Sequence, residues 1–372
     1  MCTPPRGKEF SAIAAAASAA AAAAAAESPA AAAVGVLRAG VAKADITDPE
    51  AAPPAIDVSV VAKADGEIDN PMYAKVLLIQ NGNGLMLGFV TLDVVSYGQI
   101  GHIPGEFLPS IRSRIQHELG WDPSHLIFNV NHGHGVPCAD VEERTFKAVA
   151  AAFVTMAPVS VGSGRGTEAR ITENRRMHLK DGSESDVRGA YSLAPDDTVE
   201  SIGPIDPSIG VLRLDLVQAG GGIGDTLAVV YNFACHPIMG TPSGSNGADI
   251  TGFASQLIED GFNPGLTQAF FLQGCSGDVN PIGYKEVDRP KDAEPLGLLL
   301  GQSVLQAAKA IPAAAMRTDC ELHASVQRLQ VIHNARIDNV GKAQSCMVSK
   351  SASAAAARRR GGADSRFRGE SG

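Results

Sequence analysis

Leu126-Ile127-Phe128-Asn129-Val130-Asn131-His132-Gly133-His134-Gly135-Val136-Pro137-Cys138 passes abruptly from an apolar run to a polar, glycine-rich one. Leu126 to Val130 reads as a short buried strand, and Gly135-Val136-Pro137 ends it in a turn. The two histidines therefore fall on a loop at a strand's carboxyl end, the edge where α/β sheets usually bind ligands. Side chains one residue apart on a strand point to opposite faces, so both imidazoles converge only if the backbone bends. Gly133 and Gly135 supply that freedom. A His-x-His pair so placed is half of a Zn2+ site or, equally, two satisfied polar groups in a tight turn.

Two further segments have the same form. Thr226 to Ala234 is an apolar β-type run that delivers His236, and Pro237 stops the strand. Ala269 to Gln273 is another such run, leading into Gly274-Cys275-Ser276-Gly277-Asp278-Val279-Asn280-Pro281. Zinc sites gather ligands from distant parts of a chain, and neutral imidazole is a favoured ligand. Three strand ends carrying His, His and Asp/Asn point to one shared site.

Strand-like runs at 74–80, 85–95, 126–131, 209–217, 226–235 and 268–273 alternate with helix-like stretches near 104–119, 139–156, 251–260 and 294–310. That alternation predicts an α/β fold, a mixed β-sheet core covered by helices with the site at strand ends. Lys180 to Ser208, rich in Gly, Asp and Ser, reads as a long loop able to rim the site.

Taken in order, these pieces resemble the amino-terminal catalytic domain of the neutral/alkaline (non-lysosomal) ceramidases and their bacterial-type relatives, from about Leu37 to about Leu329. Arg38-Ala39-Gly40-Val41-Ala42-Lys43-Ala44-Asp45-Ile46-Thr47 resembles the family's opening Gly-x-x-x-x-Asp-Ile-Thr strand. Gly66 to Lys75 is similar to its Gly-Ile-x-x-Pro-Leu-x-Ala-Arg segment, and Val90-Thr91-Leu92-Asp93 to its Ser-x-Asp strand. Asn131-His132-Gly133-His134-Gly135 stands where the family has Thr-His-Thr-His-Ser-Gly. Asn174-Arg175 matches its Asn-Arg motif, His236-Pro237 its second His-Pro strand, and Gly277-Asp278-Val279-Asn280-Pro281 its Gly-Asp-Val-Ser-Pro-Asn loop.

The resemblance implies an activity and a division of labour. His132 and His236 are implied zinc ligands; His134, Arg175, Asp278 and Asn280 are implied catalytic groups. Zinc lowers the pKa of a bound water to about 7, which provides hydroxide for attack on an amide carbon. The fixed guanidinium of Arg175 would stabilise the resulting oxyanion, and His134 would protonate the departing amine. Without the resemblance, Arg175 reads as a surface ion pair. Asn280 replaces the family's serine; it cannot act as a nucleophile but can orient water or substrate. The implied reaction is hydrolysis of an N-acyl amide, ceramide to sphingosine and fatty acid. The alternatives are a related metal hydrolase of another small amide or ester, and an inactive truncated fragment.

The last alternative arises because a Glu and a Tyr, which in the family complete the zinc coordination well downstream of the Gly-Asp-Val loop, are not expected here. The body is therefore expected to span 36–340 and to be C-terminally incomplete. Residues 341–372 lack periodicity and read as a disordered basic tail, or as a frame-shifted end. They hold seven Lys/Arg against two Asp/Glu, net +5; the whole chain is −9, which leaves −14 on residues 1–340. An acidic body with no aromatic residues interleaved among the tail arginines argues against nucleic-acid binding. Residues 1–35 form an Ala-rich segment, read either as low-complexity sequence or as a targeting peptide. A targeting peptide would make the protein secreted or organellar, and otherwise it would be soluble and cytoplasmic.

Alanine is too weakly apolar for a confident membrane span, so expected membrane contact is at most peripheral, through a lipid or small amide substrate. No feature sets an oligomeric state. Cys138, Cys235 and Cys275 lie near the candidate site residues and read mainly as small buried fillers, with soft metal ligands or a disulfide as the other readings.

Overall fold

In the computed structural model, residues 36–48, 50, 70–98, 101–186, 193–239, 246–284 and 292–326 are described. The Ala-rich segment 1–35, the Gly66 to Asp69 part of the resemblance and the tail 341–372 lie outside them. Eight strands form the main sheet: β1 (Arg38–Asp45), β2 (Tyr73–Gln80), β3 (Met86–Leu92), β4 (Leu126–Val130), β5 (Ala157–Thr167), and later β10 (Ser208–Val217), β11 (Ile223–Phe233) and β12 (Gln268–Gln273). Between β5 and β10 run four short strands, β6 (Thr172–Asn174), β7 (Arg176–Leu179), β8 (Glu184–Asp186) and β9 (Val199–Ile202), and β13 (Val279–Pro281) follows β12. The helices are α1 (Phe107–Arg114), α2 (Val141–Val154), α3 (Asp249–Phe262) and α4 (Glu294–Lys309).

The sheet order is β12-β11-β10-β5-β1-β2-β3-β4, antiparallel except at its two ends, where β11 pairs β12 and β3 pairs β4 in parallel. This is the expected mixed α/β architecture. Alternation along the strands explains how it is covered. On β2, Ala74, Val76 and Leu78 pack with Phe107 and Ile111 of α1 and Phe146 and Val149 of α2, whereas Leu77 and Ile79 join a separate cluster on the other face. On β11, Val229, Tyr231 and Phe233 meet Ile250, Ala254 and Ile258 of α3 and Leu300 and Val304 of α4. Tyr231, Phe233 and Phe270 are fully buried, each contributing roughly 1.5–3 kcal/mol of apolar burial.

Local signals fix the ends of these elements. Helix α1 runs into one turn of π-helix, Ile115–Leu119, and stops at Gly120, whose φ of 73° places it in the left-handed region while its N–H bonds Ile115 O. Strand β1 and helix α2 touch at Gly40, where a Cβ would lie 1.9 Å from Ala152 O, so only glycine allows that approach.

Two departures from the sequence expectation stand out. Strand β5 has no apolar run to announce it, since Ser160-Val161-Gly162-Ser163-Gly164-Arg165-Gly166 alternates with glycines that face Ile311 and Ala307. The segment from Lys180 to Ser208, expected as a loop, contributes β8 and β9, which flank β7 in a three-stranded sheet. Those strands are short and largely solvated, so they carry no apolar periodicity.

Candidate functional site

His132 follows β4 and His236 follows β11. These strands lie at or near opposite ends of the main sheet, and one side chain bridges the gap. Asn129 of β4 donates Nδ2 to Phe271 O at 3.0 Å and accepts the Gln273 N–H on Oδ1 at 3.1 Å, so its amide pairs with β12 as a peptide group would. The carboxyl ends of β4, β11 and β12 are thereby brought to one place.

The three histidines meet there. Ring centroids of His132 and His236 are 4.7 Å apart with planes at 86°, and those of His132 and His134 are 5.5 Å apart. The bend is not made by Gly133 or Gly135, as the sequence suggests, but by His132 itself, at φ 67°. Gly135 serves close packing instead, since a Cβ there would lie 2.5 Å from Met72 Sδ and 2.9 Å from Gly247 O. The loop is thus pressed tightly against the segment leading into α3.

Backbone carbonyls orient two of the rings. His132 Nδ1 lies 2.8 Å from Val95 O, and His236 Nδ1 lies 2.6 Å from Ser276 O. A carbonyl can only accept, so in the neutral rings Nδ1 carries the proton and Nε2 keeps its lone pair. This is the arrangement by which proteins present imidazole to a metal. The rings border an open cleft of about 380 Å³, walled by Tyr97, Phe128, Val130 and Ser276. Tyr97 stacks on Phe107, meets Phe128 edge-on and donates its hydroxyl to Asn129 O at 2.8 Å, which makes that wall rigid.

Burial pushes the His236 pKa down to about 4, and His132, Arg175 and His134 add to the fall while the Ser276 carbonyl opposes it. His134 is also lowered, by burial and by His132. His134 and His236 are therefore neutral near pH 7, the state in which imidazole is a ligand or a base. With Nδ1 engaged, Nε2 is the atom that His132 and His236 each have to offer, which fits a zinc ion as two of its ligands. Among the described residues, no set of three or more His, Cys, Asp or Glu is arranged to hold a metal.

Arg175 sits between β6 and β7. Its N–H donates to Asp278 O at 2.8 Å and its Nε lies 3.1 Å from Asp186 Oδ1. Arg175 thus forms an ion pair, though a largely buried one and not the surface pair its sequence alone suggests, and its charge is near enough to His236 to lower that ring's pKa. The Asp278 carboxylate faces Arg176 instead, at 3.5 Å, so its link to Arg175 runs through the backbone. Asn280 is fully buried, and neither its Oδ1 nor its Nδ2 has a hydrogen-bond partner among the described residues. Cys138 and Cys235 are buried and free, with burial raising both thiol pKa values, Cys138 to about 12; Cys275 is free but exposed, unlike a filler.

Sequence reading missed Asn129, Asp186 and the hydrogen bonds of Asp93 and Asn131. Asn129 and Asn131 bracket the strand end in plain view, but their partners are set by the sheet's curvature.

The geometry defines a mixed-sheet α/β protein with an imidazole pair in an apolar-walled cleft at strand ends. Two solved structures it resembles are ceramidases. The crystal structure of neutral ceramidase from Pseudomonas aeruginosa matches with a TM-score of 0.55 at 19% identity, covering 74% of this chain and 45% of that one. A second structure, described as ceramidase complexed with C2, matches at 0.54 and 19%, covering 74% and 44%. The chain therefore shares the fold of neutral ceramidase and spans less than half the length of those proteins. No protein-family model and no curated protein matches the sequence.

Proposed function

We propose that this chain carries the site of a zinc-dependent amide hydrolase of the neutral-ceramidase type, acting on an N-acyl lipid amide. The observation that carries this reading is the pair His132 and His236, each with Nδ1 engaged by a carbonyl and Nε2 available. The neutral-ceramidase fold supports the substrate class. So does the apolar wall of Tyr97, Phe128 and Val130, which suits an acyl chain. Among the described residues no helix is long and apolar enough to cross a membrane.

His132 and His236 would hold the ion through Nε2. When bound, zinc polarises the amide carbonyl and lowers the pKa of a water to about 7. Arg175, held by Asp186 and the Asp278 backbone, would supply the positive charge that stabilises the oxyanion formed from the carbonyl oxygen. His134 is neutral and so takes a proton from the attacking water at a ring nitrogen, then delivers it to the amine as the C–N bond breaks. The products are a carboxylic acid and an amine.

The test is cleavage of an N-acylsphingosine by the zinc-supplemented protein, followed as release of the free amine. Turnover that disappears in His134→Ala and Arg175→Ala supports the reading. Absence of turnover with both lipid and short-chain amides would remove it.

A further inference from the structure

Asn131 joins three elements at one buried point. Its Nδ2 donates to Asp93 Oδ1 at 3.0 Å and to Thr251 Oγ1 of α3 at 2.8 Å, while its Oδ1 accepts the Gly133 N–H at 2.8 Å. The residue is 2% exposed and does not line the histidine cleft. Asp93 extends the connection, since its other oxygen accepts the Tyr73 N–H at 2.8 Å at the start of β2. Thr251 is held in turn, donating to Ala248 O at 2.9 Å. An amide buried at this depth with both ends satisfied fixes the backbone on either side of it.

The residue between Asn131 and Gly133 is His132, at φ 67°. A side chain with a Cβ disfavours that conformation and keeps it only where its surroundings over-determine it. The His132 N–H to Val94 O bond at 3.1 Å and the Nδ1 contact with Val95 O are both long-range and both depend on the loop's exact course. We propose that Asn131 and Asp93 are positioning residues, a buried amide–carboxylate strap that holds His132 in its left-handed conformation, with its ring centroid 4.7 Å from that of His236. The consequence for zinc rests on the function proposed above; the strap does not.

The test combines residue-resolved amide hydrogen exchange with zinc titration on the full chain. The proteins compared are wild type, Asn131→Ala, Asp93→Asn and Leu214→Ala, the last a variant on β10 in the separate buried cluster that Leu77 joins, which lowers global stability only. No orientation of an asparagine at 93 can accept from both Tyr73 N–H and Asn131 Nδ2, so Asp93→Asn breaks half the strap while keeping the volume. Protection of the His132 amide should fall about tenfold or more in Asn131→Ala, and by less in Asp93→Asn, beyond any change at the Phe128 amide of β4. Zinc affinity should weaken by about 10–100-fold in Asn131→Ala, the range seen when groups that orient metal ligands are removed. In Leu214→Ala, His132 and Phe128 should change together and zinc affinity should hold. The inference is overturned if His132 keeps wild-type protection in Asn131→Ala and Asp93→Asn, or loses it only in step with Phe128. A wild type that binds no zinc would remove the proposed function, and the exchange result would still decide the strap.

Discussion

The backbone N–H of Gln273 donates to the side chain of Asn129 at 3.1 Å, so an asparagine on β4 takes the place of a neighbouring strand beside β12. Because β4 and β12 are the two ends of the main sheet, this contact closes the distance between the loops that carry His132 and His236. Asn129→Ala leaves the Phe271 carbonyl and the Gln273 N–H without that partner, at a cost of about 1–3 kcal/mol. Chemical denaturation should show that loss, together with weaker zinc binding. Unchanged stability and affinity would mean that the histidines are held by their own loops alone.

His134 and His132 should separate by function. Both variants to alanine should abolish amide hydrolysis, but only His132→Ala should lose zinc, because His132 Nδ1 is engaged by Val95 O and its ring faces His236. Metal analysis of the two purified variants distinguishes them. Equal loss of zinc in both would make His134 a ligand rather than a proton carrier.

Arg175→Lys keeps the charge but loses the planar fork whose Nε lies 3.1 Å from Asp186 Oδ1. If Arg175 stabilises an oxyanion, kcat should fall by about 10²-fold with KM little changed. Asp186→Asn should reproduce part of that loss. A rise in KM with kcat intact would instead make Arg175 a substrate anchor.

Two buried carboxylates should act on stability with opposite sign. Burial raises the Asp93 pKa to about 6 against the pull of Lys75 and the Tyr73 N–H, with Glu259 adding to the rise. Its contribution is complete below its ordinary value near 3.8 and is lost as pH rises through 6. Glu168 is lowered to about 2, by Arg170 first and against the effect of its burial, with Ser303 assisting. Its contribution is present above 4.5 and is lost as pH falls toward 2. Denaturation across the acid and neutral range should show the advantage of wild type over Asp93→Asn shrinking as pH rises, and its advantage over Glu168→Gln shrinking as pH falls. Flat differences would mean that neither carboxylate is perturbed.

Much of the fold was legible because burial writes a period into the sequence. The apolar runs before His132 and His236, each ended by Gly or Pro, marked β4 and β11 and put the histidines at strand ends. The apolar run at 74–80 marked β2, and the structure then divides it between two faces, Ala74, Val76 and Leu78 on one and Leu77 and Ile79 on the other. Strand β5 was hidden because its glycines make room for Ile311 and Ala307 instead of burying side chains of their own. Asn129, Asn131 and Asp93 were hidden for another reason. A polar residue announces a hydrogen bond but not its partner, and these partners come from sheet curvature and from α3. Asp186 was concealed within an expected loop, on a strand of three residues.

The most direct measurement is a zinc titration of the purified chain beside His132→Ala and His236→Ala, read as stoichiometry and affinity. A site built on these two imidazoles gives about one zinc per wild-type chain and loses it in each variant, with both variants still folded. Binding that is absent from wild type, or that survives in both variants, would contradict it.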